Sequence, residues 1–116
     1  MKNIPELDAA IANREMVPGT NYTFWWAYRN SHEAEADLLD FSEVVWDTDI
    51  EPILADCKKY GITEFTISST FSSLLDIIAK FIESGCKMDG LVYVKSRHID
   101  IWMREQRIIP ALKMTL

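Results

Sequence analysis

The side chains best placed to do chemistry are five hydroxyl-bearing residues in a short run: Ser68, Ser69, Thr70, Ser72 and Ser73. They follow a strand-like segment and precede an apolar helical pattern, so they fall between the carboxyl end of a strand and the amino end of a helix. Such helix ends attract anions, and parallel sheets bind ligands at the carboxyl ends of their strands. The run therefore predicts an anion- or phosphate-binding turn. The simpler alternative is a helix cap on a solvated turn. The absence of a glycine-rich loop, Lys or Arg excludes a P-loop.

Acidic residues form a second cluster: Asp40, Glu43, Asp47, Asp49 and Glu51. Asp47-Thr48-Asp49 has a D-x-D form that binds divalent cations in some transferases, and a hard cation needs several converging oxygens. Helix amino ends favour acids without any metal, so we predict neither a metal site nor a cofactor. The acidic stretch 37–51 also raises the hypothesis of a decoy that occupies a nucleic-acid-binding protein.

Histidine and cysteine give no catalytic pattern. His32 and His98 have no visible triad partners, and no G-x-S-x-G elbow is present. Cys57 and Cys86 lie outside any C-x-x-C motif, so we predict reduced thiols in a cytosolic protein. We predict no catalytic residue, and enzymatic activity is disfavoured without being excluded.

Aromatic residues crowd one helical segment: Tyr22, Phe24, Trp25, Trp26 and Tyr28. Adjacent residues on a helix point about 100° apart, so burying both Trp25 and Trp26 requires cover on more than one side. Tryptophan and tyrosine are enriched at binding hot spots. Tyr22, Trp25, Trp26 and Tyr28 are therefore our predicted interface, with homodimerisation as its use. The alternative is that both tryptophans are core residues and that one of them is partly exposed.

Composition and charge narrow the class of protein. The 116 residues suit a single domain, 1–116, with a core that needs no disulfide or metal. The net charge of −6, with the acids concentrated before residue 80 and a basic last third, makes direct nucleic-acid binding unfavourable. No apolar run is long enough to span a membrane, and no signal peptide is recognisable, so we expect a cytoplasmic protein.

The first half of the chain predicts helices around one ambiguous segment. We expect a short helix over about residues 5–15, a break at 17–20, and a helix that begins after Thr20 or Asn21 and runs towards Ala36. Residues 39–46 favour a strand, with a helix nearly as good. A helix then follows Thr48 or Asp49 and ends at Gly61, which supplies a left-handed cap.

The second half predicts a strand–helix–strand unit at about 63–95. Thr63–Ser69 alternates as a strand, Phe71–Ser84 carries a broad apolar helical stripe, and Leu91–Lys95 alternates again. Connections of this length are parallel and right-handed, so we expect the two strands to be parallel neighbours. Ile108–Leu116 reads as a last strand, which Pro110 confines to an edge or a strand start. Residues 98–107 are either a hairpin arm or a helix. We predict an α/β or α+β fold with a mixed sheet of three to five strands and helices packed on it.

Several of these segments resemble a group of small uncharacterised bacterial proteins. The resemblance lies in Gly61–Ser72 and Gly85–Val92, and extends to the segments 40–46 and 49–53, so it covers roughly residues 38–95. It implies no activity, because none is assigned to that group.

The function most consistent with these features is a non-enzymatic cytosolic binding or accessory module that acts through protein–protein contacts. One alternative is a small-molecule-binding or enzymatic α/β domain that uses the Ser68–Ser73 turn. The other is the acidic decoy. An unidentified protein partner, a homodimer and no membrane are the partner expectations.

Overall fold

A mixed four-stranded sheet in the order β1-β2-β4-β3 organises the chain. The computed structural model describes residue 1, residues 3–100 and residues 105–116. The strands are β1 Leu39–Phe41, β2 Glu64–Ile67, β3 Lys87–Asp100 and β4 Glu105–Thr115. The helices are α1 Pro5–Ala12, α2 Tyr22–Glu33, α3 Ile50–Lys59 and α4 Leu74–Glu83, with a 3-10 turn at Asp47–Asp49. This is an α+β fold, which confirms the predicted class and the mixed sheet.

The core lies between one face of the sheet and the helices. The register aligns Leu39 with Phe65 and Phe65 with Met114, so these three side chains share a face, and all three are buried. Phe65 lies 5.1 Å from Phe81 of α4, measured between ring centroids, and 5.4 Å from Phe41. Burial of these large apolar side chains is the main stabilising term of the domain.

The predicted strand–helix–strand unit at 63–95 is present as β2, α4 and β3, but its strands are not neighbours. β4 pairs antiparallel with β2 on one side and with β3 on the other. β2 and β3 therefore run parallel with β4 inserted between them, which corrects the expectation of direct pairing. The sequence pattern predicts the crossover through α4, but it does not predict that β4 lies between β2 and β3.

Direct parallel pairing occurs one unit earlier. β1 and β2 pair in register from Leu39 with Phe65 to Phe41 with Ile67, and α3 makes the connection between them. Their carboxyl ends thus meet at one edge of the sheet. This places residues 42–46 beside the hydroxyl-rich turn after β2.

Pro110 lies in a central strand, contrary to the predicted edge position of the last strand. β2 pairs only with the segment from Leu112 to Thr115, whereas Pro110 pairs with Tyr93 of β3. The short β2 leaves that part of β4 with a strand on one side only. The missing N–H of Pro110 is tolerated because β2 does not reach this part of β4, so Pro110 has an edge position within a central strand.

Segment boundaries follow the sequence signals with some differences. The segment 39–46 is a strand only at Leu39–Phe41, and α4 begins at Leu74, three residues later than expected. Residues 98–100 and 105–107 form hairpin arms, and residues 101–104 of that prediction lie outside the described part of the chain. Gly61 and Gly85 have φ values of 71° and 102°, the left-handed conformation expected of helix-ending glycines.

Candidate functional site

A buried carboxylate stands at the carboxyl edge of the two parallel strands. Asp40 of β1 is buried, and its two carboxylate oxygens each accept a hydrogen bond of 2.6 Å, one from the Thr66 hydroxyl and one from the Ser68 hydroxyl. Thr66 lies opposite Asp40 in the register, and Ser68 follows β2 directly. β-Sheet pairing alone therefore brings these three side chains together.

Burial governs the protonation of this carboxyl. Removal from water raises the pKa of Asp40 above its ordinary value, while the hydrogen bonds from Ser68 and Thr66 partly oppose the rise. A buried carboxylate with a raised pKa has the chemistry of a proton acceptor or donor. Its hydrogen bonds from the Thr66 and Ser68 hydroxyls also connect β1 to β2 and to the residue that follows it.

Ser31 of α2 covers the outer edge of β1. The hydroxyl oxygen of Ser31 accepts a hydrogen bond of 2.8 Å from the Asp40 backbone N–H and donates one to the Asp40 carbonyl oxygen at 3.3 Å. Exposed strand edges are sites of unwanted pairing, and this contact closes one. α2 is thereby fixed beside the carboxyl edge of the sheet.

The five hydroxyl residues of the predicted anion turn differ in their surroundings. Ser68 donates to Asp40, and the Ser69 backbone N–H donates to the Phe41 carbonyl oxygen. Thr70, Ser72 and Ser73 are exposed, and Ser73 makes no side-chain cap at the start of α4. The Asp40 carboxylate beside Ser68 makes the inner end of the turn acidic. Anion binding by this turn stays a prediction.

The four residues of the predicted interface divide between core and surface. Trp25 and Tyr28 are buried, whereas Tyr22 is 66% exposed and Trp26 is half-buried. The Tyr28 hydroxyl donates to the Asp8 carboxylate at 2.6 Å, which fastens α1 to α2. Burial, together with this hydrogen bond, raises the pKa of Tyr28 to about 12. Only Tyr22 and Trp26 are therefore available for an intermolecular contact.

Tyr22 and Trp26 line an aromatic cleft of about 300 Å³ between α2 and the segment after β1. The cleft is lined by Tyr22, Thr23, Trp26, Ala27, Asn30, Phe41, Ser42, Glu43, Val44 and Trp46. Trp46 is 64% exposed and Val44 is 39% exposed, so one wall is open to solvent. Ser42, Val44 and Trp46 were absent from the predicted site residues. The strand-like pattern of residues 39–46 favours a strand up to residue 46, whereas the chain leaves the sheet after Phe41.

Asp49 holds the two walls of this cleft together. One carboxylate oxygen accepts hydrogen bonds from the Thr23 hydroxyl at 2.8 Å and from the Trp46 backbone N–H at 3.0 Å. The other accepts from the Asn21 side-chain amide at 3.2 Å. Because Thr23 lies on α2 and Trp46 on the opposite wall, the width of the cleft is set by this carboxylate.

The remaining acids and both cysteines have structural surroundings. Asp47 pairs with Lys80 at 3.2 Å, so the two carboxylates of the D-x-D tripeptide face different partners. No group of three or more metal-ligating side chains occurs among the described residues. Cys57 and Cys86 are free, buried thiols, and burial raises the pKa of Cys57 to about 12. A thiol that stays protonated is a weak nucleophile.

The fold and this site define a class of protein: a small α+β domain with a mixed sheet, a buried carboxylate at its parallel edge and an aromatic cleft beside it. None of the described helices has the length and apolar character needed to cross a membrane.

The chain belongs to the family described as domain of unknown function (DUF7698), whose model matches residues 23–116. This agrees with the resemblance to an uncharacterised group. The match covers all four strands, α2 apart from Tyr22, and every residue that lines the cleft except Tyr22. No curated protein matches the chain, and no solved structure does.

Proposed function

We propose that this domain is a non-enzymatic binding module that acts through protein–protein contacts, with a second copy of itself as the partner. The supporting observation is an uncovered apolar face on the β3–β4 hairpin. Met88, Leu91 and Tyr93 on β3 are 55%, 75% and 75% exposed, and Ile108 on β4 is 58% exposed. Contiguous exposed apolar patches often mark sites of protein–protein contact.

The register places this face on the same side of the sheet as the core. Leu91 pairs with Leu112, Tyr93 with Pro110 and Lys95 with Ile108. Along β4, burial decreases from Met114, which is fully buried, through Leu112, which is half-buried, to Ile108. The helical layer thus covers one end of this face and leaves the other end, which also carries Lys95, exposed.

A second copy suits this face because a two-fold axis makes any apolar patch complementary to itself. β3 is in addition an edge strand of the sheet. Strand edges of this kind pair readily with another chain.

The decoy hypothesis is less well supported, since Asp40 is buried and Asp49 is engaged by three donors. A cytosolic location is proposed from the two free thiols, and a bacterial source from the resemblance alone.

Sedimentation equilibrium over a range of concentrations tests the proposal. We expect a dimer that Leu91→Lys and Tyr93→Lys convert to a folded monomer, because a buried unpaired charge is incompatible with the interface. Leu75→Lys is the matched control, since Leu75 is 80% exposed on α4, outside the face, and should leave the dimer intact.

Two outcomes would overturn the proposal. One is a wild-type chain that sediments as a monomer at high micromolar concentration. The other is a dimer that dissociates with Tyr22→Lys but not with Leu91→Lys, which would place the contact on α2 as the aromatic pattern of the sequence predicted.

A further inference from the structure

The aromatic cleft between α2 and residues 42–46 contains two polar atoms whose hydrogen-bonding capacity is unused. Trp26 Nε1 and Ser42 Oγ are both buried, and neither has a hydrogen-bond partner among the residues that the structure describes. Leaving a buried donor unpaired is costly, and buried polar groups in proteins are nearly always satisfied. Both residues line the same cleft.

The other walls of the cleft are apolar and aromatic. Tyr22 and Trp46 are each about two-thirds exposed at its mouth, and Phe41 and Val44 extend the apolar surface inward. Ligand pockets typically combine such walls with a few placed polar groups, in volumes from about 300 Å³ upward. The cleft volume of about 300 Å³ lies at the lower end of that range, which suits a small ligand.

The walls are held in position before any ligand arrives. The guanidinium carbon of Arg29 lies 4.9 Å from the centroid of the Trp26 ring, and Tyr22 meets that ring edge-on at a centroid distance of 6.0 Å. The Asp49 carboxylate connects the Trp46 backbone to Thr23 of α2. Such preorganisation lowers the entropic cost of binding.

We propose that this cleft binds a small planar heteroaromatic molecule that carries a hydrogen-bond acceptor. The flat aromatic walls favour a planar ring, and Trp26 Nε1–H can only donate, so it selects an acceptor. Glu43 lines the cleft and Asp49 bonds to its wall, which disfavours an anionic ligand. Because both polar atoms are covered from water, binding includes a rotamer change of the Trp46 side chain, whose backbone stays held by Asp49; such adjustments are common on binding.

Two probes of equal shape separate the contribution of the donor from that of the apolar walls. Benzimidazole and indole differ in one ring atom, which is an acceptor nitrogen in benzimidazole and a carbon in indole. Titrations followed by ¹H–¹⁵N spectra should shift the Trp26 Nε1–H signal and the amides of residues 42–46. We expect benzimidazole to bind about tenfold more tightly than indole, since only it satisfies the donor.

Variants locate the effect. Trp26→Phe keeps an aromatic wall and removes the N–H, so the preference for benzimidazole should disappear. Val44→Lys, at an exposed wall position, should weaken both probes. Leu91→Lys, on the hairpin face, should change neither affinity, so a failure of the proposed dimer leaves this test intact.

The inference is overturned if neither probe perturbs the cleft at millimolar concentration. Equal affinity of the two probes for the wild-type protein would also overturn it, and that result needs no variant to fold. A preference for benzimidazole that persists in Trp26→Phe would assign the acceptor to another group and refute the role of Trp26.

Discussion

Asp40 shows how a single side chain joins stability to the local chemistry of this domain. It lies in a strand of three residues, between Leu39 and Phe41, and all three are buried. Its carboxylate is held by Thr66 and Ser68 across the parallel pair, and its backbone is held by Ser31. Because the Asp40 carboxylate is buried and hydrogen-bonded, its contribution to stability depends on pH.

Asp40→Asn should change how stability depends on pH. Because burial raises the pKa of Asp40 in the folded state, its favourable contribution is complete below the ordinary value of 3.8 and is lost as pH rises through the raised pKa. The asparagine variant lacks this titration. The free energy of unfolding of the wild type, relative to the variant, should therefore fall as pH rises above 3.8 and become constant above the raised pKa.

Urea denaturation at several pH values measures this difference. Other titrating groups are shared by the two proteins and cancel in the comparison. A difference that stays constant across the range would show that burial does not raise the pKa of Asp40.

Among the secondary-structure elements, α2 is the one that the rest of the site depends on. Its cap residue Asn21 accepts a hydrogen bond from the Phe24 backbone N–H at 2.9 Å, and the Asn21 side-chain amide donates to Asp49. The Asn21 backbone N–H donates to the Asp56 carboxylate of α3 at 2.9 Å. The start of α2 is thus tied to both the cleft and α3.

Asn21→Ala should destabilise the domain by about 1–2 kcal/mol, because it removes the cap and the link to Asp49. Ser73→Ala is the matched control. Ser73 is also a helix N-cap, but it is exposed and makes no side-chain cap hydrogen bond, so its loss should cost less than about 0.5 kcal/mol. Chemical denaturation of both variants gives the comparison, and equal losses would refute a special role for the start of α2.

At the scale of the whole molecule, β4 completes the sheet. β4 is the last strand in sequence but lies between β2 and β3, and Met114, two residues from the end of the sequence, is fully buried. The Leu116 backbone N–H donates to the Thr63 carbonyl oxygen at 2.8 Å, which fixes the final residue beside β2. Folding of the sheet therefore depends on β4.

Met114→Ala should cost about 2–5 kcal/mol of unfolding free energy, as expected for truncation of a fully buried methionine. Leu116→Ala, at a side chain that is 38% exposed, should cost much less. Thermal unfolding of the two variants is the measurement. Similar melting temperatures for the two would place the last strand outside the core, at the edge position that Pro110 suggested from the sequence.

Local signals in the sequence are enough for most helices and for the existence of the strands. Pro5 starts α1, Asn21 caps α2, and Gly61 ends the turn after α3, because each acts on its own backbone through rules that need no distant partner. Alternation at 63–67 and 91–95 reveals β2 and part of β3 for the same reason.

The strand order and the candidate site come from tertiary structure. Pairing between β2 and β4 joins residues separated by more than forty positions in the sequence. No local propensity indicates that β4 will lie between β2 and β3. The carboxylate of Asp40 finds Thr66 and Ser68 only through sheet register, and the cleft exists only where the chain leaves β1 and turns towards α3. Side-chain burial and the hydrogen bonding of buried polar groups depend on several segments at once. They are therefore determined by the tertiary structure and cannot be predicted from any single segment of the sequence.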